Sequence, residues 1–207
     1  MSEAKKPHFS MVRSFAVADL FTFGNASCGT GAIFLCLSYL AEHDDRYLWW
    51  VFVLLPLALV FDFLDGKIAR WRQRHSALGA DLDSLADVVS FGVAPAVLGY
   101  TLGLRGGWDI IGLIFFVSCG ISRLARYNVT AAALSDETGK VKYYEGTPIP
   151  SSLFLVMLWA IAFYQTGLGA APWWGGVRLG VELHFFSLLY VLNGCTMISG
   201  TLRIPKP

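Results

Sequence analysis

Between positions 62 and 87 the chain reads DFLDGKIARWRQRHSALGADLDSLAD, which carries Asp62, Asp65, Asp81, Asp83 and Asp87. Asp62 and Asp65 are three apart and Asp83 and Asp87 four apart, so on helices each pair shares one face. Asp81, two residues before Asp83, points elsewhere and reads as a solvated residue near a helix start. Asp62, Asp65, Asp83 and Asp87 together form a set of hard oxygen ligands suited to Mg²⁺ or Mn²⁺. Four carboxylates can hold two such ions. Two ions about 4 Å apart can clamp a phosphoryl oxygen and stabilise the attacking and leaving oxygens of a displacement. The neighbours fit that chemistry: Gly66 and Gly79 remove side chains where a substrate or a second helix comes close. Arg70 offers a two-pronged donor to phosphate, and Ser76 adds a hydroxyl. Arg72 and Arg74 read as ordinary anchors.

The elements that must position these carboxylates are membrane spans. Of 207 residues 55% are hydrophobic and only 15% charged, with a mean hydropathy of +0.54, where a soluble domain is about a quarter charged. A bilayer core takes about 20 mostly apolar residues to cross as a helix. Six stretches qualify, at about 17–41, 47–66, 82–103, 108–125, 149–167 and 183–202. The expected fold is therefore all-α: one polytopic membrane domain over 1–207, six antiparallel spans joined by short connections. Within it, residues 1–16 form an interfacial helix with Phe9, Val12 and Phe15 at helical spacing. That N-terminal segment shows no secretory signal pattern.

Orientation follows from Lys and Arg. Lys5, Lys6, Arg13, Lys67, Arg70, Arg72, Arg74, Arg123, Arg126, Lys140, Lys142, Arg203 and Lys206 fall on one side, against Arg46, Arg105 and Arg178 on the other. Both termini are thereby expected in the cytoplasm, with the carboxylates at the cytoplasmic mouth of spans two and three. Trp49, Trp50, Trp173 and Trp174 then mark the opposite interface. Cys28, Cys36, Cys119 and Cys195 sit in apolar runs without metal-like spacing and read as buried thiols. A net charge of +1 gives no basic field for nucleic acid.

A carboxylate in the membrane interior costs about 2.5–3.5 kcal/mol, so four together need a compensating function. The spacing D-x2-D-G-x2-A-R-x8-G-x3-D-x3-D, met by Asp62, Asp65, Gly66, Ala69, Arg70, Gly79, Asp83 and Asp87, resembles the signature of the CDP-alcohol phosphotransferases. The resemblance implies integral membrane enzymes in which a CDP-linked lipid gives its phosphatidyl group to an alcohol and CMP leaves. It also implies a homodimer of six-helix protomers, each with a two-metal site. Carried over by position, Asp62, Asp65, Asp83 and Asp87 bind metal, and Asp87 is the base for the acceptor hydroxyl. Gly66, Arg70, Ser76 and Gly79 match donor-binding positions, as do Thr22 and Asn25 in DLFTFGNASCGTG.

SRLARYN (122–128) followed by YYEGTPIPSS (143–152) is similar to the phosphatidylserine synthase branch of that family. The acceptor implied is L-serine and the donor CDP-diacylglycerol, with Arg126, then Arg123 and Asn128, at the serine carboxylate. Such arginines would equally hold glycerol 3-phosphate or inositol phosphate, and inositol or choline remain alternative acceptors. A divalent-cation transporter is the rival of a different class, since intramembrane carboxylates also mark ion paths. The expected location is the cytoplasmic face of a bacterial inner membrane or of the endoplasmic reticulum.

Overall fold

The computed structural model describes residues 17–71, 77–134, 143–166, 176–179, 181–200 and 203–205. The first helix, α1 (Val17–Glu42), is followed closely by α2 (Asp45–Trp71). Cys28, Ala32 and Cys36 make a buried stripe of small residues along α1, and Leu48, Val51, Leu55 and Ala58 make its counterpart on α2. Small side chains let two helices approach closely where lipid offers no hydrophobic drive. The reversal between them is tight: His43 takes a left-handed conformation (φ 55°) and its N–H donates to the Tyr39 carbonyl at 2.8 Å. Asp44 then accepts from the Arg46 N–H at 2.9 Å, as a residue opening a helix does. That bond, with the Arg46 guanidinium second, holds the half-buried Asp44 carboxyl below its ordinary value.

The third rod has three parts: α3 (Ala77–Asp87), a π-helical turn over Val88–Val93, and α4 (Ala94–Thr101). The turn has a direct cause in the sequence. Pro95 has no N–H, and its ring crowds the carbonyl four residues back; a wider i→i+5 turn, seen in the Ala94 N–H bonded to the Val89 carbonyl, relieves both problems. The Pro95 carbonyl accepts from the buried Tyr190 hydroxyl at 2.8 Å, and Trp159 Nε1–H donates to that same hydroxyl at 3.0 Å. One phenol thus ties three apolar helices without leaving a polar atom bare.

The remaining helices are α5 (Gly107–Leu134), α6 (Leu153–Thr166), entered through a 3₁₀ turn at Ile149–Ser152, and α7 (Phe185–Ile198). α1 packs along α2 and against the third rod, while α5 packs on α7. At the head of α5 the fully buried Asp109 gathers the Gly106 N–H (2.9 Å), the His184 N–H (2.8 Å) and His184 Nδ1 (2.5 Å). That knot fixes where α7 begins. At the other end, Gly146 (φ 76°) lets the chain pass against the Met197 carbonyl, where a Cβ would collide, and the Thr147 N–H donates to the Thr196 carbonyl at 3.1 Å.

Helices overlie all six predicted stretches, but not equally. Among the described residues, four apolar segments are long enough to cross a membrane: Asp19–Glu42, Asp45–Ile68, Gly79–Thr101 and Gly107–Val129, each of 23 or 24 residues, or about 35 Å at 1.5 Å per residue. Ile149–Gln165 and Phe185–Ile198 are shorter apolar helices. Large apolar residues such as Leu20, Phe34, Trp50, Ile111, Ile114 and Phe154 face outward, as lipid-facing residues do and as a soluble surface rarely tolerates.

Two expectations need correction. The described residues are mostly rather than wholly helical, with two short antiparallel ribbons among them: β1 (Tyr143–Glu145) with β4 (Arg203–Pro205), and β2 (Gly176–Leu179) with β3 (Val181–His184). The second ribbon pairs Val177 with Leu183 and Arg178 with Glu182, a period-two alternation that a search for apolar runs passes over. Cys28, Cys36 and Cys119 are buried thiols, but Cys195 is exposed on α7. An apolar run reveals that a helix is greasy, not which face meets the protein. The expected interfacial helix at 1–16 and the Trp173–Trp174 belt lie outside the described residues.

Candidate metal and phosphoryl-transfer site

α2 delivers Asp62 and Asp65 from its last turns, and α3 delivers Asp83 and Asp87. The structure brings Asp62, Asp83 and Asp87 together: one carboxylate oxygen of each lies within 4.8 Å of the others. Opposite ligands of an octahedral Mg²⁺ stand about 4.2 Å apart, so the three oxygens lie near the spacing that a single ion's ligands take. Asp83 also has a buried Oδ1 with no hydrogen-bond partner among the described residues. An orphan carboxylate oxygen beside two other carboxylates is costly unless a cation compensates it. The donor set, all hard oxygen, fits a divalent ion.

Asp65 is buried beside this trio and accepts from the Thr22 hydroxyl at 2.9 Å. Asn25, fully buried on the same face of α1, donates its side-chain N–H to Asp87 Oδ1 at 3.1 Å. α1 is thus the third wall of the site: Thr22 and Asn25 contact the two aspartates, one from each neighbouring helix. Gly66 borders open space, with no described atom within 4 Å of where its side chain would begin. The gap leaves room for a ligand next to Asp65. Gly79 sits half-buried in the first turns of α3. Arg70 belongs to α2, but its side chain and the whole of Ser76 fall outside the described residues.

The residues expected at the acceptor lie on α5. Asn128 donates to Ser84 Oγ at 3.0 Å and reaches Asp81 Oδ1 at 3.5 Å, which links α5 to the carboxylate-bearing α3. Arg126 is exposed and donates to the Ile198 carbonyl, at the end of α7, at 3.1 Å. Arg123 stacks over the Tyr127 ring at 5.8 Å.

Three further polar residues, not singled out by the sequence, sit on or beside the carboxylate-bearing elements. Asp19 is buried on α1 within electrostatic range of Asp65; its place inside an otherwise apolar span was the available signal. Ser84 belongs to the same helix as Asp83 and Asp87 and holds Asn128. Ser90, in the π turn, reaches α1 through its hydroxyl. Pro95 was the one hint of that turn.

A profile of the CDP-alcohol phosphatidyltransferase family matches residues 15–187. The chain is 42% identical to the CDP-diacylglycerol–serine O-phosphatidyltransferase of Saccharomyces cerevisiae, over 97% of its own length and 74% of the relative's. It is 36% identical to the protein of the same description from Methanocaldococcus jannaschii, over 96% and 78% of the two lengths. It is also 37% identical to the archaetidylserine synthase of Methanothermobacter thermautotrophicus, over 73% and 59%. A carboxylate cluster across α2 and α3, a family profile spanning most of the chain and relatives aligned over nearly all of it lead to one conclusion: this chain belongs to the CDP-alcohol phosphatidyltransferase family.

Proposed function

We propose that the protein is a membrane transferase that moves the phosphatidyl group of CDP-diacylglycerol to the hydroxyl of L-serine, giving phosphatidylserine and CMP. The observation that carries the reading is the convergence of Asp62, Asp83 and Asp87 on one point, in a chain that aligns over nearly its whole length with relatives described as serine phosphatidyltransferases.

In this reading Asp62, Asp65, Asp83 and Asp87 hold two divalent ions, Mg²⁺ or Mn²⁺. Bound there, such ions offset the charge of the pyrophosphate and of the departing phosphate. Arg70, Gly66, Ser76 and Gly79 line the CDP-lipid: Arg70 grips a phosphate, and the open space at Gly66 admits the donor. Thr22 and Asn25 orient the aspartates and border the nucleotide. Asp87 accepts the proton of the serine hydroxyl as its oxygen bonds to the phosphorus bearing the diacylglycerol; the P–O bond to CMP breaks. Arg126 and Arg123, with Asn128, hold the serine carboxylate. A guanidinium has five N–H donors, and the Arg126 bond to Ile198 uses one. Positioning and charge stabilisation then supply most of the rate, as in other phosphoryl transfers.

Six spans, both termini in the cytoplasm, a single domain over 1–207 and assembly as a homodimer belong to the same proposal. The Lys and Arg distribution supports the orientation. The test is CMP release by purified protein with CDP-diacylglycerol and Mn²⁺, offering serine, inositol, glycerol 3-phosphate and choline separately. Release with serine alone is expected. Release with another alcohol and not with serine overturns the acceptor assignment.

A further inference from the structure

Ser90 lies three residues beyond Asp87, in the π-helical turn, and is fully buried. A helical serine commonly returns its hydroxyl to a carbonyl of its own helix. Ser90 instead crosses to α1 and donates to the main-chain carbonyl of Asn25 at 2.9 Å. The side chain of that same Asn25 donates to Asp87 Oδ1 at 3.1 Å. The two bonds close a ring: Asp87, along the backbone to Ser90, across to the Asn25 carbonyl, and back through the Asn25 amide to Asp87.

Two features bear on what Ser90 contributes to the ring. The Asn25 Oδ1 is buried and has no partner among the described residues, so no described bond to that oxygen anchors the amide as it meets Asp87. Its aim therefore follows from where the α1 backbone sits. Gly29, one turn along α1, makes the approach possible, because a Cβ there would lie 2.7 Å from the Ser90 Cα, well inside contact distance. The helices touch at that point, and the Ser90 bond sets their register.

We propose that Ser90 is a positioning residue for Asp87: its hydroxyl fixes the Asn25 backbone, and the Asn25 amide thereby holds one Asp87 oxygen so that the other faces Asp62 and Asp83. The proposal rests on the reading of Asp87 as metal ligand and base. It assigns the π turn a purpose, since the wider turn is the segment that carries Ser90 to α1.

The test uses the full chain in nanodiscs with three variants: Ser90→Ala, Ser90→Cys and Asp87→Asn. Two readouts are taken, steady-state kinetics and Mn²⁺ affinity from the free-ion EPR signal. Ser90→Cys preserves the volume but is a weak donor, which separates hydrogen bonding from packing. Expected for both Ser90 variants is a fall in kcat of about five- to tenfold, the size of one buried hydrogen bond. Mn²⁺ binding should weaken by a similar factor, with KM for either substrate unchanged. Wild-type kinetics and Mn²⁺ affinity in Ser90→Cys would mean that Ser90 only fills space, and would overturn the proposal. Inactive Asp87→Asn beside intact Ser90 variants overturns this proposal alone, whereas turnover by Asp87→Asn removes the reading of Asp87 on which it stands.

Discussion

Four aspartates at spacings of three and four were enough to point to a metal-assisted phosphoryl transfer, because helical geometry and carboxylate chemistry are local properties. Their partners were less legible. Thr22 and Asn25 could be singled out as polar residues in an apolar span, but not that they meet Asp65 and Asp87; a contact across more than forty residues of sequence depends on tertiary packing. Outer-shell partners of metal ligands typically contribute 10–100-fold to metal affinity or activity. Thr22→Val keeps the shape and removes the donor to Asp65. It is expected to weaken activation by Mn²⁺ by about tenfold, measured as the Mn²⁺ concentration for half-maximal CMP release, with the expression level unchanged. An activation curve identical to wild type would show that this hydrogen bond does not support the site.

At the scale of elements, apolar runs located every described helix, and the run at 17–41 matched α1 to within a residue, while α2 and α5 continue past theirs to Trp71 and Leu134. What they missed was interruption and pairing. The break after Asp87 comes from Pro95, whose effect reaches back along the helix. The ribbon before α7 comes from the alternation Val177–Leu179 and Val181–Leu183, hidden beside a longer apolar stretch. Asp109 illustrates a third limit: a lone carboxylate at the start of a span looks like an interfacial residue, yet it is buried under bonds from Gly106 and His184. Asp109→Ala strands two main-chain N–H groups and is expected to destabilise by about 2–4 kcal/mol. That corresponds to a Tm lower by about 5–10 °C. The knot lies at the opposite ends of α5 and α7 from Arg126 and Ile198, so kcat at permissive temperature should be retained. A loss of kcat at unchanged Tm would tie Asp109 to chemistry instead of to assembly.

For the whole molecule, composition announced a membrane protein before any motif was considered, and the outward-facing apolar residues agree with it. Orientation rests on charge counting alone, which the protein can answer directly. Single cysteines at positions 44 and 73, in a background lacking Cys28, Cys36, Cys119 and Cys195, are expected to label from opposite sides of a sealed vesicle, with position 73 on the cytoplasmic side. Labelling from the same side would break the antiparallel pairing of α2 with its neighbours. The proposed activity requires the carboxylate cluster as the seat of phosphatidyl transfer. The most direct test is phosphatidylserine formation from CDP-diacylglycerol and serine, followed by mass spectrometry. Wild-type protein and Asp83→Ala are compared with Mn²⁺ present and after chelation. Product should appear only with wild-type protein and metal, and fall by more than about a hundredfold in Asp83→Ala, beyond the range of an outer-shell change. Undiminished product from Asp83→Ala, or from chelated wild type, would contradict the account.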